Sequence, residues 1–98
     1  MRVAFSDESK RDLRSITIFI SADSPSRAKK FVGGLQAACL GLADHPERYA
    51  LVPGFEAHAY RRRPLGNYAI IYAVGANAIM IVRVLHTAMD LVAALGSD

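Results

Sequence analysis

Three consecutive arginines, Arg61, Arg62 and Arg63, precede a Pro64-Leu65-Gly66-Asn67 turn, and two apolar runs follow, joined by Gly75-Ala76-Asn77. The second run carries Arg83 among aliphatic residues and ends at His86, with Asp90 shortly beyond. Guanidinium groups in such positions offer a charged surface to a partner. A histidine, whose ordinary pKa is about 6.5, can act as an acid or a base near neutrality. No nucleophile stands at motif spacing from a base, and no cofactor box is present. His45, His58 and His86 lack the spacing of metal ligands, so neither a metal nor a cofactor is expected. The pattern describes a recognition module before it describes an enzyme.

Each of these residues also has a purely structural reading. Alternation along a strand puts Arg61 and Arg63 on one face and Arg62 on the other, so the three do not form one patch. They either contact a partner or are the charges that keep an edge strand from aggregating. Arg83 shares its predicted face with Ile79, Ile81 and Leu85, and must snorkel or find a carboxylate, for which Asp90 is the expected partner. His86 closes a strand and is either structural or part of a contact. Cys39 falls on the apolar face of a helix and reads as core. Tyr68 and Tyr72 suit half-buried strand positions, with stacking on a base as the lesser alternative.

The elements that must position these groups follow from periodicity. Arg2–Phe5 reads as a short first strand, after which Ser6 caps a helix with Asp7 and Glu8 in its first turn. Leu13, Ile16 and Ile20 share one face of that helix, which should end near Ala22. Ser24 caps a second helix and Pro25 fits its first position, where no amide hydrogen is needed. Ala28, Phe31, Val32, Leu35, Ala38, Cys39 and Leu42 recur at helical steps along it. Gly33, Gly34 and Gly41 interrupt that pattern at roughly 1 kcal/mol each, which suggests close packing against the first helix. Residues 45–57 read as a loop, then strands are predicted near 58–63, 68–74 and 78–85. The strand at 68–74 is apolar on both sides and belongs in the sheet interior. An amphipathic tail, Ala88–Leu95, completes the order. The expected fold is α+β: an antiparallel helix hairpin on one face of an antiparallel sheet of about four strands, the first strand at an edge, with a short C-terminal helix.

Of 98 residues, 52% are hydrophobic, enough to build a core and to exclude disorder. One domain spanning residues 1–98 is expected. The net charge of +3 hides an asymmetry: residues 57–98 hold four arginines against two acids, whereas residues 1–56 hold eight basic and seven acidic groups. A single cysteine excludes an internal disulfide and suits a reducing compartment. Met1–Phe5 leads directly into Ser6-Asp7-Glu8 without the form of a leader, and the apolar runs are strand-sized. A cytoplasmic location without membrane insertion is expected.

Several segments, in order, resemble the RelE/ParE superfamily of type II toxins, and its ParE branch in particular. They are Phe5-Ser6 with Asp12-Leu13 and Ile16, then Ala28 and Phe31, then Leu42-Ala43-Asp44-His45-Pro46. Tyr68-Ala69-Ile70-Ile71-Tyr72, Ile81-Val82-Arg83-Val84-Leu85-His86 and Asp90 complete the set. The resemblance implies a toxin that forms a hetero-oligomer with a cognate, ParD-like antitoxin. ParE-like members poison DNA gyrase by binding it, and sequence-specific binding of nucleic acid by the toxin alone is not implied. RelE-like members cleave mRNA on the ribosome. Under that alternative, Arg61, Arg63, Arg83 and His86 would supply charge and proton transfer.

Two departures from the superfamily's patterns matter. Ala69 stands where RelE-type nucleases typically carry an arginine, and Met89, Leu91 and Val92 replace their C-terminal basic or tyrosine residue. Both favour the ParE branch and binding over catalysis. Met89 also stands where ParE-like chains often have arginine, which keeps open a decayed member that only binds its antitoxin. The expected target contact is Arg83, His86 and Asp90; the expected antitoxin contact is Arg61, Arg62 and Arg63.

Overall fold

The computed structural model describes residues 1–96. Strand β1 (Arg2–Phe5) leads into helix α1 (Asp7–Ser21), and helix α2 (Pro25–Gly41) returns beside it. Strands β2 (Arg61–Leu65), β3 (Tyr68–Val74) and β4 (Ala78–His86) follow, and helix α3 (Leu91–Leu95) comes last. The sheet order is β1-β4-β3-β2. The three later strands form the antiparallel meander, while β1 takes the expected edge position and runs parallel to β4. The sheet is therefore mixed.

Local chemistry starts α1 and α2 where the sequence predicts. The Ser9 amide donates to Ser6 Oγ at 3.0 Å, and the Arg27 amide donates to Ser24 Oγ at 3.3 Å with Pro25 opening α2. Ser6 also donates its hydroxyl to the Val82 carbonyl at 2.7 Å, so one side chain caps α1 and ties it to β4.

The helix hairpin buries Leu13, Ile16, Leu35, Cys39 and Leu42 against Ile70, Tyr72, Ile79, Ile81 and Val84 of the sheet. Beneath the other face lie Val52 and Phe55, packed with Ala69, Ile71 and Leu85 and flanked by Leu91, Ala94 and Leu95. Strand β3, with Ala69–Tyr72 all buried, is thus covered on both sides as its composition predicts.

Four local expectations are corrected. The strand predicted at 58–63 begins only at Arg61, because Glu56–His58 forms a 3-10 turn and Ala59 adopts a left-handed backbone (φ 56°) incompatible with a strand. Residues 45–57 are more than a loop: Leu51 bridges Arg61, the Arg62 amide donates to the Ala50 carbonyl at 3.0 Å, and Val52 and Phe55 enter the core. The tail helix starts at Leu91 rather than Ala88, because Asp90 is extended and accepts the Val92 amide as its cap. The glycines of α2 do not serve contact with α1: a Cβ built at Gly33, Gly34 or Gly41 meets nothing within 4 Å.

Candidate functional site

Arg83 is where the sheet departs most from simple alternation. A β-bulge at Ile71/Tyr72 pairs Tyr72 with Ile81 but Ile71 with Arg83, leaving Val82 as the extra residue. Ile79 and Ile81 therefore face the helices, while Leu85 packs under the opposite face. Arg83 does not share one greasy face with all three, as alternation alone predicts. The bulge carries its side chain to the margin of the sheet, where β1 has ended at Phe5 and the first turns of α1 run alongside β4.

There Arg83 meets Asp12. Its Nε donates to Asp12 Oδ2 at 2.8 Å and its Nη2 to Oδ1 at 3.0 Å, a bidentate pair. The Val84 amide adds a third donor to the carboxylate at 2.9 Å. Glu8 Oε2 lies 3.8 Å from Nη1, which donates to the Ala94 carbonyl of α3 at 2.9 Å. The hydrogen bond to Asp12 raises the guanidinium pKa above its usual value, against the opposing effect of burial. Asp90, the expected partner, instead caps α3 through the Val92 amide. The link thus runs to a residue on α1, which the bulge brings within reach.

His86 looks elsewhere. Exposed at the end of β4, it stands edge-on to Tyr68 with ring centroids 5.4 Å apart, and its Nδ1 accepts the Ala88 amide at 3.1 Å. Arg83, His86 and Asp90 consequently have separate partners and do not converge on one constellation. Tyr72 is fully buried and donates its hydroxyl to the Pro46 carbonyl at 2.7 Å, which withdraws it from any stacking role; burial is the main cause of its raised pKa. Burial likewise pushes the Cys39 thiol up to about 11, in keeping with a core cysteine.

The arginine run divides as alternation predicts. Arg61 and Arg63 pair with Tyr72 and Ile70, Arg62 with Ile71. Arg61 donates to the Tyr49 carbonyl at 2.7 Å and the Glu47 carbonyl at 3.2 Å, which ties down the 46–49 segment. Arg63 lies 5.2 Å over the Tyr49 ring, and Arg48 approaches the same ring at 5.4 Å. Sequence reasoning missed Asp12 as the partner of Arg83 and Tyr49 as the hub of the arginines. For Asp12 a signal existed: it precedes Ile16 by one helical repeat, so a carboxylate borders the buried stripe.

Comparison with known proteins decides the family. The family of ParE toxins of type II toxin-antitoxin systems (parDE) matches residues 3–91. The chain belongs to the ParE toxin family. A solved structure of the chromosomal ParDE toxin-antitoxin system from P. aeruginosa is similar in fold, with a TM-score of 0.71 and 20% sequence identity over 88% of this chain and 95% of that one. No curated protein matches the sequence. Among the described residues, no helix of this ParE-family chain is long and apolar enough to cross a membrane.

Proposed function

We propose that the chain inhibits growth by binding DNA gyrase in the cytoplasm, without catalysing a reaction, and that a cognate ParD-like antitoxin neutralises it in a hetero-oligomer. The observation that carries the choice of binding over catalysis is the engagement of Arg83. Nε and Nη2 are both committed to Asp12, and Nη1 is committed to Ala94. Arg61 holds backbone carbonyls of the 46–49 segment, and His86 stands beside Tyr68. A nuclease needs such groups around one phosphate, with a base to activate the attacking hydroxyl. Here they have separate partners.

Within this reading the Arg83, His86 and Asp90 contact has a division of labour. His86, exposed at the end of β4, is the member that touches the target. Arg83 and Asp90 are positioning residues: one anchors Ala94, the other starts α3. Arg61, Arg62 and Arg63 meet the antitoxin. Inducing the chain in cells tests the target: DNA-damage signalling and filamentation support gyrase, whereas rapid translation arrest with cut mRNA overturns the reading. Co-expression and pull-down with the neighbouring small open reading frame test the antitoxin. His86→Ala and Arg83→Ala, each checked for folding and antitoxin binding, test the site; retention of full toxicity by both places it elsewhere.

A further inference from the structure

A groove of about 860 Å³ opens between the two N-terminal helices and the β2–β3 turn. Its volume is in the range that holds a small-molecule-sized group. Phe19, Phe31, Tyr68 and His86 line it, with Arg27 and Lys30 on one side. Three of the rings are contiguous: Phe31 and Tyr68 are tilted with centroids 5.4 Å apart, and Tyr68 meets His86 at the same separation. Phe19 is 75% exposed. A ring that accessible contributes little to the core and offers its face to whatever enters.

The polar groups have one character. Arg27 and Lys30 are three residues apart on α2 and therefore on neighbouring positions of one helical face. Among the described residues, no aspartate or glutamate lines the groove. Asp23 pairs with Arg27 at 3.2 Å, but both side chains are largely exposed, so this pair yields readily to a competing anion. Because Nδ1 of His86 accepts a backbone amide, its ring presents Nε2 as the N–H donor. Stackable rings beside solvent-accessible cations are the features by which proteins hold single-stranded nucleic acid without reading its sequence. An acidic protein segment would also suit the cations, and the competition arm of the test below separates the two occupants. A duplex keeps its base faces stacked inward and would leave the rings unused.

We propose that this groove binds single-stranded nucleic acid independently of sequence, with a base stacked on the exposed Phe19 ring and phosphates at Arg27 and Lys30. Among the described residues the groove has one histidine and no carboxylate, so the inference is of binding and not of cleavage. It shares His86 with the proposed target contact, but its test uses no growth measurement, so the two readings fail separately.

The test is fluorescence anisotropy of a labelled 12-nucleotide oligothymidylate with the purified full chain, from low to moderate salt. Two phosphate contacts predict a slope of log K against log salt of about −1.4, at about −0.7 per contact. Lys30→Ala should bring the slope to about −0.7. Phe19→Ala should weaken binding by about 5- to 150-fold and leave the slope unchanged, the signature of lost stacking. Both side chains are at the surface, and thermal unfolding checks that the variants fold. Lys10→Ala, on α1 outside the groove, should bind as the parent does. The proposal is overturned by absence of binding at low salt, by parental affinity in both groove variants, or by equal affinity for a duplex of the same length. Displacement of the oligonucleotide by a lower concentration of a phenylalanine-containing oligoglutamate peptide would also overturn it, and would assign the groove to an acidic protein segment.

Discussion

Asp12 and Arg83, 71 residues apart in the chain, are joined by two hydrogen bonds of 2.8 and 3.0 Å. The same carboxylate accepts the Val84 amide, so a side chain on α1 does the work of a strand that β1 is too short to provide. Arg83 then extends the link to α3 through Ala94. One ion pair thereby connects the first helix, the last strand and the C-terminal helix.

Removing Asp12 should be worse than removing Arg83. Asp12→Ala takes the acceptor from Nε and Nη2 of a mostly buried guanidinium and from the Val84 edge amide, leaving Arg83 only Ala94 and the more distant Glu8, at a cost of about 2–4 kcal/mol. In Arg83→Ala the carboxylate keeps Val84, so a smaller loss of about 1–3 kcal/mol is expected, together with loosening of α3. Urea unfolding of both single variants and the double variant checks this, and their coupling should exceed about 0.5 kcal/mol. Additive losses would mean that the two residues act independently.

Ser6→Ala should destabilise by about 1–2 kcal/mol, because one hydroxyl both caps α1 and donates to Val82. Ser6→Asp is the informative companion. Aspartate preserves the cap but cannot donate, so in thermal unfolding the loss in Ser6→Asp relative to the parent reports the tie to β4, and the further loss in Ser6→Ala reports the cap.

Gly33→Ala and Gly34→Ala should each stabilise the fold by up to about 1 kcal/mol, since a Cβ at either position meets no neighbour. A rise in melting temperature is the expected result. No gain at either site would show that α2 gains nothing from restricted backbone freedom there.

Alkaline pH should weaken the fold through Cys39 and Tyr72. Cys39 moves from an ordinary 9.0 to about 11 in the folded state, and Tyr72 shifts up from 10.0 for the same leading reason, burial. The folded chain therefore keeps protons that the unfolded chain has released. The thiol's contribution is intact below about pH 9 and is lost as pH rises toward 11, with a slope of at most about 1.4 kcal/mol per pH unit. Cys39→Ser should flatten the thiol's share of that slope in urea titrations at pH 8 to 11.

Much of the architecture was legible because its signals are local. The Ser24-Pro25 start of α2 and the doubly apolar Tyr68–Val74 strand each declare themselves within a few residues. Arg83 was not legible in the same way. Its surroundings depend on a bulge that breaks the two-residue alternation and on a partner 71 residues away. Ala59 shows the same limit on a smaller scale: nothing about an alanine announces a left-handed backbone. The arginine run was placed correctly by face, but its hub at Tyr49 arises from the Ala50–Val52 segment lying along β2.

The pairing of β1 with residues 78–81 of β4 also sets the order in which a newborn chain can act. A ribosome adding about 5–20 residues per second takes roughly 4 to 15 s to travel from one strand to the other. During that interval the helix hairpin can form from its own neighbours, but Asp12 awaits Arg83, and Leu13, Ile16, Leu35 and Cys39 have no sheet to lie on. Whatever this fold does to its host begins only once β4 has emerged, so the nascent polypeptide spends most of its synthesis harmless and open to capture.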